Sequence, residues 1–237
     1  MRNKKRPIVG ILVCGRFSDE MHAGFGTYAD LYSRMLGTDT FDYRAFQVND
    51  GDIPTTDDAD AWLISGSRHG AYEEHDWIPL LEEHIRAAYA AKQPIIGVCF
   101  GHQVLAQAMG GRVEKYDGGW EIGQVNYALE GPFKNAVPNE TTLLAFHQDQ
   151  VVELPETATV VGQTTHCQYA AIQYGNHALS IQPHPEFDDS LVGELLTERG
   201  HLLPPESVDK ARRSLGNELH NPSVGGALRD FILQGLK

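Results

Sequence analysis

Short apolar runs without polar alternation constrain the fold of this chain most strongly. They cover residues 7–14, 61–64 and 94–98, and a further short strand is predicted over residues 41–46. Strands that are buried on both faces of a parallel sheet have this composition. Helical patterns over residues 28–36, 77–91 and 101–109 follow three of these strands, and glycines stand where the first and last of them end. This alternation predicts an α/β fold with a doubly wound, mostly parallel sheet flanked by helices.

The pattern changes after Arg112. Short β-branched or alternating runs are predicted to form antiparallel additions to the sheet, and they include residues 124–129, 151–153, 159–161, 169–173 and 178–181. Helical spacing returns from residue 189, broken by Pro204-Pro205 and Asn221-Pro222. We therefore expect a single domain over residues 1–237, with a core at about 7–187 and a C-terminal helical segment at about 189–237. That segment could cover the sheet or form a dimer seam, and covering the sheet is favoured.

Charge and cysteine content exclude several classes of partner. A formal net charge of −13 argues against nucleic-acid binding, and the basic run of Arg2, Lys4, Lys5 and Arg6 is interpreted as a solvated tail. No apolar run approaches the ~20 residues of a membrane helix, so no membrane partner is expected. The chain has only 3 cysteines and no signal-peptide pattern, which predicts a cytoplasmic, reduced protein.

The fourth strand ends in a candidate nucleophile. Residues 97–101 read Gly-Val-Cys-Phe-Gly, which matches a strand–nucleophile–helix elbow. Glycines suit the two flanking positions because the backbones approach closely at such a corner. Cys99 would stand at a helix N-terminus, where the dipole favours a thiolate. The alternative is a buried cysteine that only ends a core strand, which is our interpretation of Cys14.

A second motif offers a base. In Gln182-Pro-His184-Pro-Glu186, each proline disfavours helix in the residue before it, so an extended backbone is predicted with Glu186 beside His184. The carboxylate would hold the imidazole while its other nitrogen takes the thiol proton. His102 is expected to cap or support the following helix, and His147 is the rival candidate for the base.

Three motifs together carry a family resemblance. Gly97-Val-Cys99-Phe-Gly101-His-Gln103, His147-Gln-Asp-Gln-Val and His184-Pro-Glu186 resemble the class I glutamine amidotransferases over about residues 8–187. The resemblance implies the flavodoxin-like fold of that family and a Cys99, His184, Glu186 triad. The order of histidine before acid separates the chain from α/β-hydrolases, which share the elbow.

The resemblance also implies the remaining site residues. It assigns the oxyanion hole to the backbone N–H groups of Phe100 and Gly66, although the chain departs from the common Gly-Gly-Pro form of that loop. Gln103 is expected to contact the polar end of the substrate, with His147 and Ser67 as further substrate-binding residues. No metal ligand is assigned.

The predicted activity is cysteine-dependent hydrolysis of a γ-glutamyl amide through a γ-glutamyl thioester on Cys99, without a metal or organic cofactor. Residues 65–72, 77–78 and 119–123 look closest to the stand-alone branch that contains plant γ-glutamyl peptidases. The predicted partner is therefore a small γ-glutamyl substrate, either glutamine or a γ-glutamyl peptide. Two alternatives stay open: a glutaminase subunit that delivers ammonia to a separate synthase, and a non-catalytic binding protein of the same fold.

Overall fold

The computed structural model of the protein describes residues 5–237, so Arg2 and Lys4 of the basic run lie outside the described residues. Lys5 and Arg6 are exposed. The strands are β1 Ile8–Val13, β2 Asp42–Gln47, β3 Ala61–Ile64, β4 Ile95–Val98, β5 Arg112–Lys115, β6 Glu121–Leu129, β7 Thr141–His147, β8 Asp149–Glu153, β9 Ala158–Gln163, β10 Ala171–Tyr174 and β11 Ala178–Ile181. The α-helices are α1 Asp19–Phe25, α2 Tyr28–Leu36, α3 Trp77–Ala90, α4 Phe100–Ala108, α5 Asp189–Arg199, α6 Pro205–Ser214 and α7 Asn221–Gly235.

A nine-stranded mixed sheet organises the chain, in the order β2-β1-β3-β4-β11-β10-β9-β6-β7. The first five strands in this order are parallel, and the pairs from β11 to β7 are antiparallel. A separate two-stranded sheet joins β5 and β8. The predicted α/β fold is confirmed, but the prediction for one strand is incomplete. β11 was expected among the antiparallel additions, and it pairs antiparallel with β10 but parallel with β4.

Helices cover both faces of the parallel half. Ile11 and Leu63 face a core that contains Leu36 of α2 and Leu228 of α7. Their neighbours Leu12 and Trp62 face the opposite core, where side chains of α3 and α4 are buried. Successive residues of a strand point to opposite faces, so the continuous apolar runs are explained by burial on both sides. The doubly wound arrangement predicted from those runs is confirmed.

The C-terminal helices close the structure over the sheet. Leu195 and Leu196 of α5 pack in a third core with Ala211 of α6 and Leu144 of β7. α7 lies against α2 and buries Phe231 in the core beneath the sheet. The expectation that this segment covers the sheet is confirmed for these residues. That residues 1–237 form a single domain remains a prediction.

Three elements had no individual prediction. α1 is a short helix whose N-cap Ser18 accepts a hydrogen bond from the Met21 N–H, and its seven residues give too short a pattern to separate from a loop. The strands β5 and β7 lie in the region predicted to be antiparallel but were not singled out. Within residues 5–237, no helix has both the length and the apolar character needed to cross a membrane.

The packing of α7 generates a stability prediction. Leu228→Ala should lower the free energy of unfolding by about 2–5 kcal/mol, because Leu228 is fully buried and its truncation leaves a cavity. Leu202→Ala is the matched control, since Leu202 is 72% exposed and its truncation should change stability by less than about 0.5 kcal/mol. Urea unfolding of both variants measures the difference. Equal small effects would contradict the assignment of α7 to the core.

Candidate active site

Cys99 stands at a strained corner between β4 and α4. Its φ is 54° and its ψ is −105°, an uncommon backbone conformation for a residue with a side chain. A Cβ on Gly97 would overlap the backbone of Gly101, and a Cβ on Gly101 would overlap the carbonyl group of Ile64. The flanking glycines are therefore required by close backbone approach, as the sequence predicted. The corner holds Cys99 at the N-terminus of α4 with 5% of the residue exposed.

His184 and Glu186 are joined as predicted, although by a different backbone conformation. The His184 Nδ1 atom lies 2.7 Å from Glu186 Oε1. His184 forms a bridge to Leu144, and its N–H donates to the Leu144 carbonyl at 2.8 Å. The chain then turns instead of remaining extended, because the Phe187 N–H donates to the His184 carbonyl at 3.3 Å. A turn, and not a strand-like alternation, brings Glu186 beside the imidazole.

Two further contacts fix the imidazole plane. The ring of Phe187 stacks on His184 with centroids 4.0 Å apart and an angle of 2° between the planes. On the Gly66 side, a Cβ added to that glycine would lie 3.1 Å from His184 Cε1 and 3.8 Å from Cys99 Cβ. Gly66 therefore lies against both the base and the nucleophile, and the absence of its side chain gives the ring room.

The charges around His184 favour its protonated form. Burial alone would lower its pKa, but the negative charges of Glu186 and of a Cys99 thiolate raise the pKa of His184 to about 10. The protonated imidazole is therefore favoured beside Glu186 and Cys99. Burial raises the pKa of the Cys14 and Cys167 thiols well above the usual range of a thiol. Those two thiols are buried core groups.

His102 and His147 have other partners. His102 is fully buried, and its Nδ1 lies 2.8 Å from the Ser180 hydroxyl. Burial lowers the pKa of His102 to about 3, which keeps this ring neutral. His147 is also buried, with Nδ1 3.3 Å from the Asp149 carbonyl and Nε2 3.5 Å from a Glu121 carboxylate oxygen. Its ring nitrogens therefore face protein oxygens, and we retain His184 as the proposed base.

Tyr32 links the triad to the loop after β3. Its hydroxyl donates to Glu186 Oε1 at 2.9 Å and accepts the Gly66 N–H at 3.1 Å. Tyr32 is fully buried, and burial together with the nearby Glu186 charge raises the pKa of its hydroxyl well above the ordinary value. The phenol therefore stays neutral and keeps the proton that it donates to Glu186. The helical pattern over residues 28–36 includes Tyr32 but carries no signal of this role.

The bond from Gly66 to Tyr32 bears on the oxyanion hole. Because the Gly66 N–H is already donated to the Tyr32 hydroxyl, it is not free to stabilise a developing charge. Across residues 5–237, by contrast, the N–H groups of Ser67 and Phe100 have no hydrogen-bond acceptor. Phe100 directly follows Cys99, and Ser67 lines the same cleft as Cys99. We therefore propose the Phe100 and Ser67 N–H groups as the donors, in place of the Gly66 group.

A cleft of about 550 Å³ opens above Cys99 and His184, and the three residues predicted to bind substrate all line it. Gln103 is buried, and its amide donates to the Asp149 carbonyl at 2.8 Å and to Gln182 Oε1 at 3.2 Å. The Ser67 hydroxyl donates to the Cys14 carbonyl at 2.8 Å. The side chains of Gln103 and Ser67 thus form hydrogen bonds within the cleft wall. That these two residues and His147 contact the substrate remains a proposal.

The chain is similar in sequence and in fold to known proteins. The family model for glutamine amidotransferase class-I matches residues 28–201. The chain is 31% identical to γ-glutamyl peptidase 5 of Arabidopsis thaliana, over 81% of this chain and 82% of that protein. It is also 29% identical to a glutamine-hydrolysing GMP synthase subunit of Halobacterium salinarum, over 73% of this chain and 91% of that protein. A solved glutamine amidotransferase from Thermotoga maritima has the same fold, with a TM-score of 0.74, 18% identity and coverage of 98% of this chain and 99% of that chain.

The close backbone approach at Gly101 can be tested by comparison with Gly193, a glycine that has open space around it. Gly101→Ala should lower the free energy of unfolding by about 1–3 kcal/mol, because its Cβ would overlap backbone atoms of Ile64 that cannot rotate away. Gly193→Ala should instead raise it by about 0.5–1 kcal/mol, since Gly193 lies inside α5 and a Cβ there meets nothing within 4 Å. Urea unfolding gives both values. The same sign for both variants would contradict the close approach at the corner.

The contribution of the Tyr32 hydroxyl to stability can be measured by comparison with a second buried tyrosine, Tyr127. Tyr32→Phe should cost about 1–3 kcal/mol of unfolding free energy, because it leaves the buried Gly66 N–H without an acceptor and removes a donor to Glu186. Tyr127→Phe is the control, since the buried Tyr127 hydroxyl has no partner among the described residues. That change should cost less than about 0.5 kcal/mol. Equal losses for the two variants would show that the Tyr32 hydrogen bonds are unimportant for stability.

Proposed function

The chain belongs to the class I glutamine amidotransferase family, and we propose that its Cys99 attacks the γ-carbonyl of a γ-glutamyl amide to form a γ-glutamyl thioester. Its activity is of the glutamine amidotransferase or γ-glutamyl hydrolase type. The observation that carries the proposal is the buried His184–Glu186 contact of 2.7 Å beside a cysteine at a helix N-terminus. These are the parts that nucleophilic acyl transfer requires.

The first step is attack by the thiolate. His184 holds the proton that came from Cys99, and the pair is stabilised because the pKa of His184 is raised to about 10 by Glu186 and the thiolate. As the Cys99 Sγ–carbon bond forms, the carbonyl oxygen becomes an anion. The N–H groups of Phe100 and Ser67 stabilise that charge, and one such donor contributes about 2.7–4 kcal/mol in other acyl-transfer sites.

The second step releases the amine and restores the enzyme. His184 gives its proton to the leaving nitrogen, and the carbon–nitrogen bond breaks to leave the thioester. A water molecule then attacks the thioester, with neutral His184 as the base, and glutamate leaves from Cys99. The Glu186 carboxyl group holds the imidazole in its tautomer, while the stacked Phe187 ring limits rotation of the imidazole.

A γ-glutamyl peptide is our preferred substrate. The relative in Arabidopsis thaliana is named a γ-glutamyl peptidase, and the similarity extends over 81% of this chain. The cleft also extends beyond the triad, with Arg68, Lys115 and Arg199 on its walls. Cationic side chains of this kind suit the carboxylate that a leaving amino acid carries and ammonia lacks. We propose that the amine product is an amino acid or peptide.

The second candidate is a glutaminase subunit. The relative in Halobacterium salinarum is named as one subunit of a glutamine-hydrolysing GMP synthase, so a similar chain there forms part of a synthase. In that case the amine product is ammonia, and a separate partner consumes it. The two candidates differ in the leaving group and share the same triad.

Steady-state hydrolysis by the purified protein alone separates these candidates. Glutamine and a panel of γ-glutamyl dipeptides should be compared, with free amino acid and ammonia measured as products. We expect release of amino acids from γ-glutamyl dipeptides with higher kcat/KM than release of ammonia from glutamine. Glu186→Gln should lower kcat by about 10²–10⁴-fold, because it removes the charge that holds the general base. Cys99→Ala should abolish turnover.

Labelling of the cysteines shows whether Cys99 is reactive in folded protein that hydrolyses no substrate. A glutamine-mimicking chloroketone should modify Cys99 and leave Cys14 and Cys167 unmodified, because burial raises the pKa of both of those thiols. Labelling of Cys99 without hydrolysis of any substrate would favour the synthase component. Failure to label Cys99 in folded protein would indicate a non-catalytic binding protein.

A further inference from the structure

A cluster of two imidazoles and one carboxylate stands at the rim of the active-site cleft and takes no part in the proposed reaction. It consists of His69, Glu73 and His75, which come from the loop between β3 and α3. His69 Nδ1 lies 3.1 Å from Glu73 Oε2, and His75 Nε2 lies 2.8 Å from the same oxygen. One donor atom from each residue lies within 4.8 Å of the other two.

We propose that His69, Glu73 and His75 form a binding site for a divalent transition-metal ion, with Zn²⁺ as the ion that the donor set suits best. Two imidazole nitrogens with one carboxylate oxygen are a known ligand set for zinc. Zinc–ligand distances of about 2.0–2.2 Å place tetrahedral ligands roughly 3.3 Å apart. The two nitrogen–oxygen separations in the cluster are close to that spacing, so a small outward movement of the side chains would admit the ion.

The backbone already arranges these three donors. The Glu73 N–H donates to the Gly70 carbonyl and the His75 N–H donates to the Glu73 carbonyl, each at 3.0 Å. The His69 and His75 rings meet edge to face with centroids 4.3 Å apart, so both direct a nitrogen toward one carboxylate oxygen. Little conformational freedom would be lost when an ion binds, because these turns hold the side chains together in its absence.

Access also favours an ion. The side chains of His69, Glu73 and His75 are 25%, 41% and 36% exposed, so solvent reaches the cluster. One ring nitrogen of each histidine lies within hydrogen-bond distance of the same Glu73 oxygen. An ion would replace the protons shared in those two contacts.

The site lies close to the catalytic machinery without sharing a residue with it. His69 and Glu73 line the cleft that contains Cys99, and the His69 N–H donates to the Ser67 hydroxyl at 3.2 Å. The His75 ring stacks near Trp77, whose ring lies 5.5 Å from that of Phe100. The proposal depends on these side chains alone, and it does not depend on which amide the triad hydrolyses.

The test is titration of the full-length Cys99→Ser protein with Co²⁺, followed by the visible absorption of the bound ion. The Cys99→Ser background removes the catalytic thiolate as a competing ligand. We expect one Co²⁺ per chain and displacement by Zn²⁺, which such sites bind more tightly than Co²⁺. His69→Asn, His75→Asn and Glu73→Gln should each weaken binding by at least roughly tenfold, since removing groups that merely orient metal ligands costs about 10–100-fold.

His22→Asn is the matched control, because His22 is exposed on α1 and belongs to no such cluster among the described residues. It should bind Co²⁺ like the Cys99→Ser parent. Circular dichroism melting checks that each variant is folded, and three separate ligand variants keep the test valid if one of them is not. Equal affinity in the parent and in all folded ligand variants would overturn the site, as would a parent that binds no Co²⁺.

Discussion

The parallel pairing of β11 with β4 is the constraint on which the candidate site depends. Ile181 is the register partner of Val98, and the Cys99 N–H donates to the Ile181 carbonyl at 3.0 Å. Both strands therefore end at the same edge of the sheet, where ligand sites of open α/β sheets are found. Cys99 follows β4 directly and His184 follows β11 after two residues. An antiparallel β11 would direct its C-terminal end to the opposite edge and would separate the base from the nucleophile.

The three residues of the candidate triad could be predicted without this topology because side-chain chemistry and backbone restrictions are local. The glycines at positions 97 and 101 and the prolines at 183 and 185 are visible in the chain, and they restrict the backbone wherever the segment lies. The direction of β11 is different, since an apolar run of four residues reads the same in either direction. The turn at Phe187 was missed for a related reason. A proline restricts the backbone conformation of the residue before it and not that of the residues after it. The stacking of Phe187 on His184 is a tertiary contact, which the local sequence does not show.

The role of Tyr32 depends on contacts that are distant in the sequence. Its position on α2 follows from helical spacing, but its hydroxyl contacts residues that are 34 and 154 positions away in the chain. The bond to Gly66 also changes the proposed oxyanion hole from the Gly66 N–H to that of Ser67. No sequence pattern records which of two successive N–H groups is occupied, because the answer depends on how α2 packs against the loop after β3. The family motif indicates the loop, whereas the hydrogen bond that occupies the Gly66 N–H is visible only in the fold.

The same network couples stability to the charge state of the site. The Glu186 side chain is buried, with one oxygen bonded to His184 and Tyr32, while the other oxygen has no partner among the described residues. Such a carboxylate is costly to bury unless a cation accompanies it. The pKa of His184 is about 10 in the folded protein and about 6.5 in an unfolded chain. The folded state therefore binds the proton more tightly, and this contribution to stability is complete below pH ~6.5 and is lost as the pH rises through about 10. The protonated imidazole that the proposed mechanism needs at neutral pH is thus also the form that compensates the buried carboxylate.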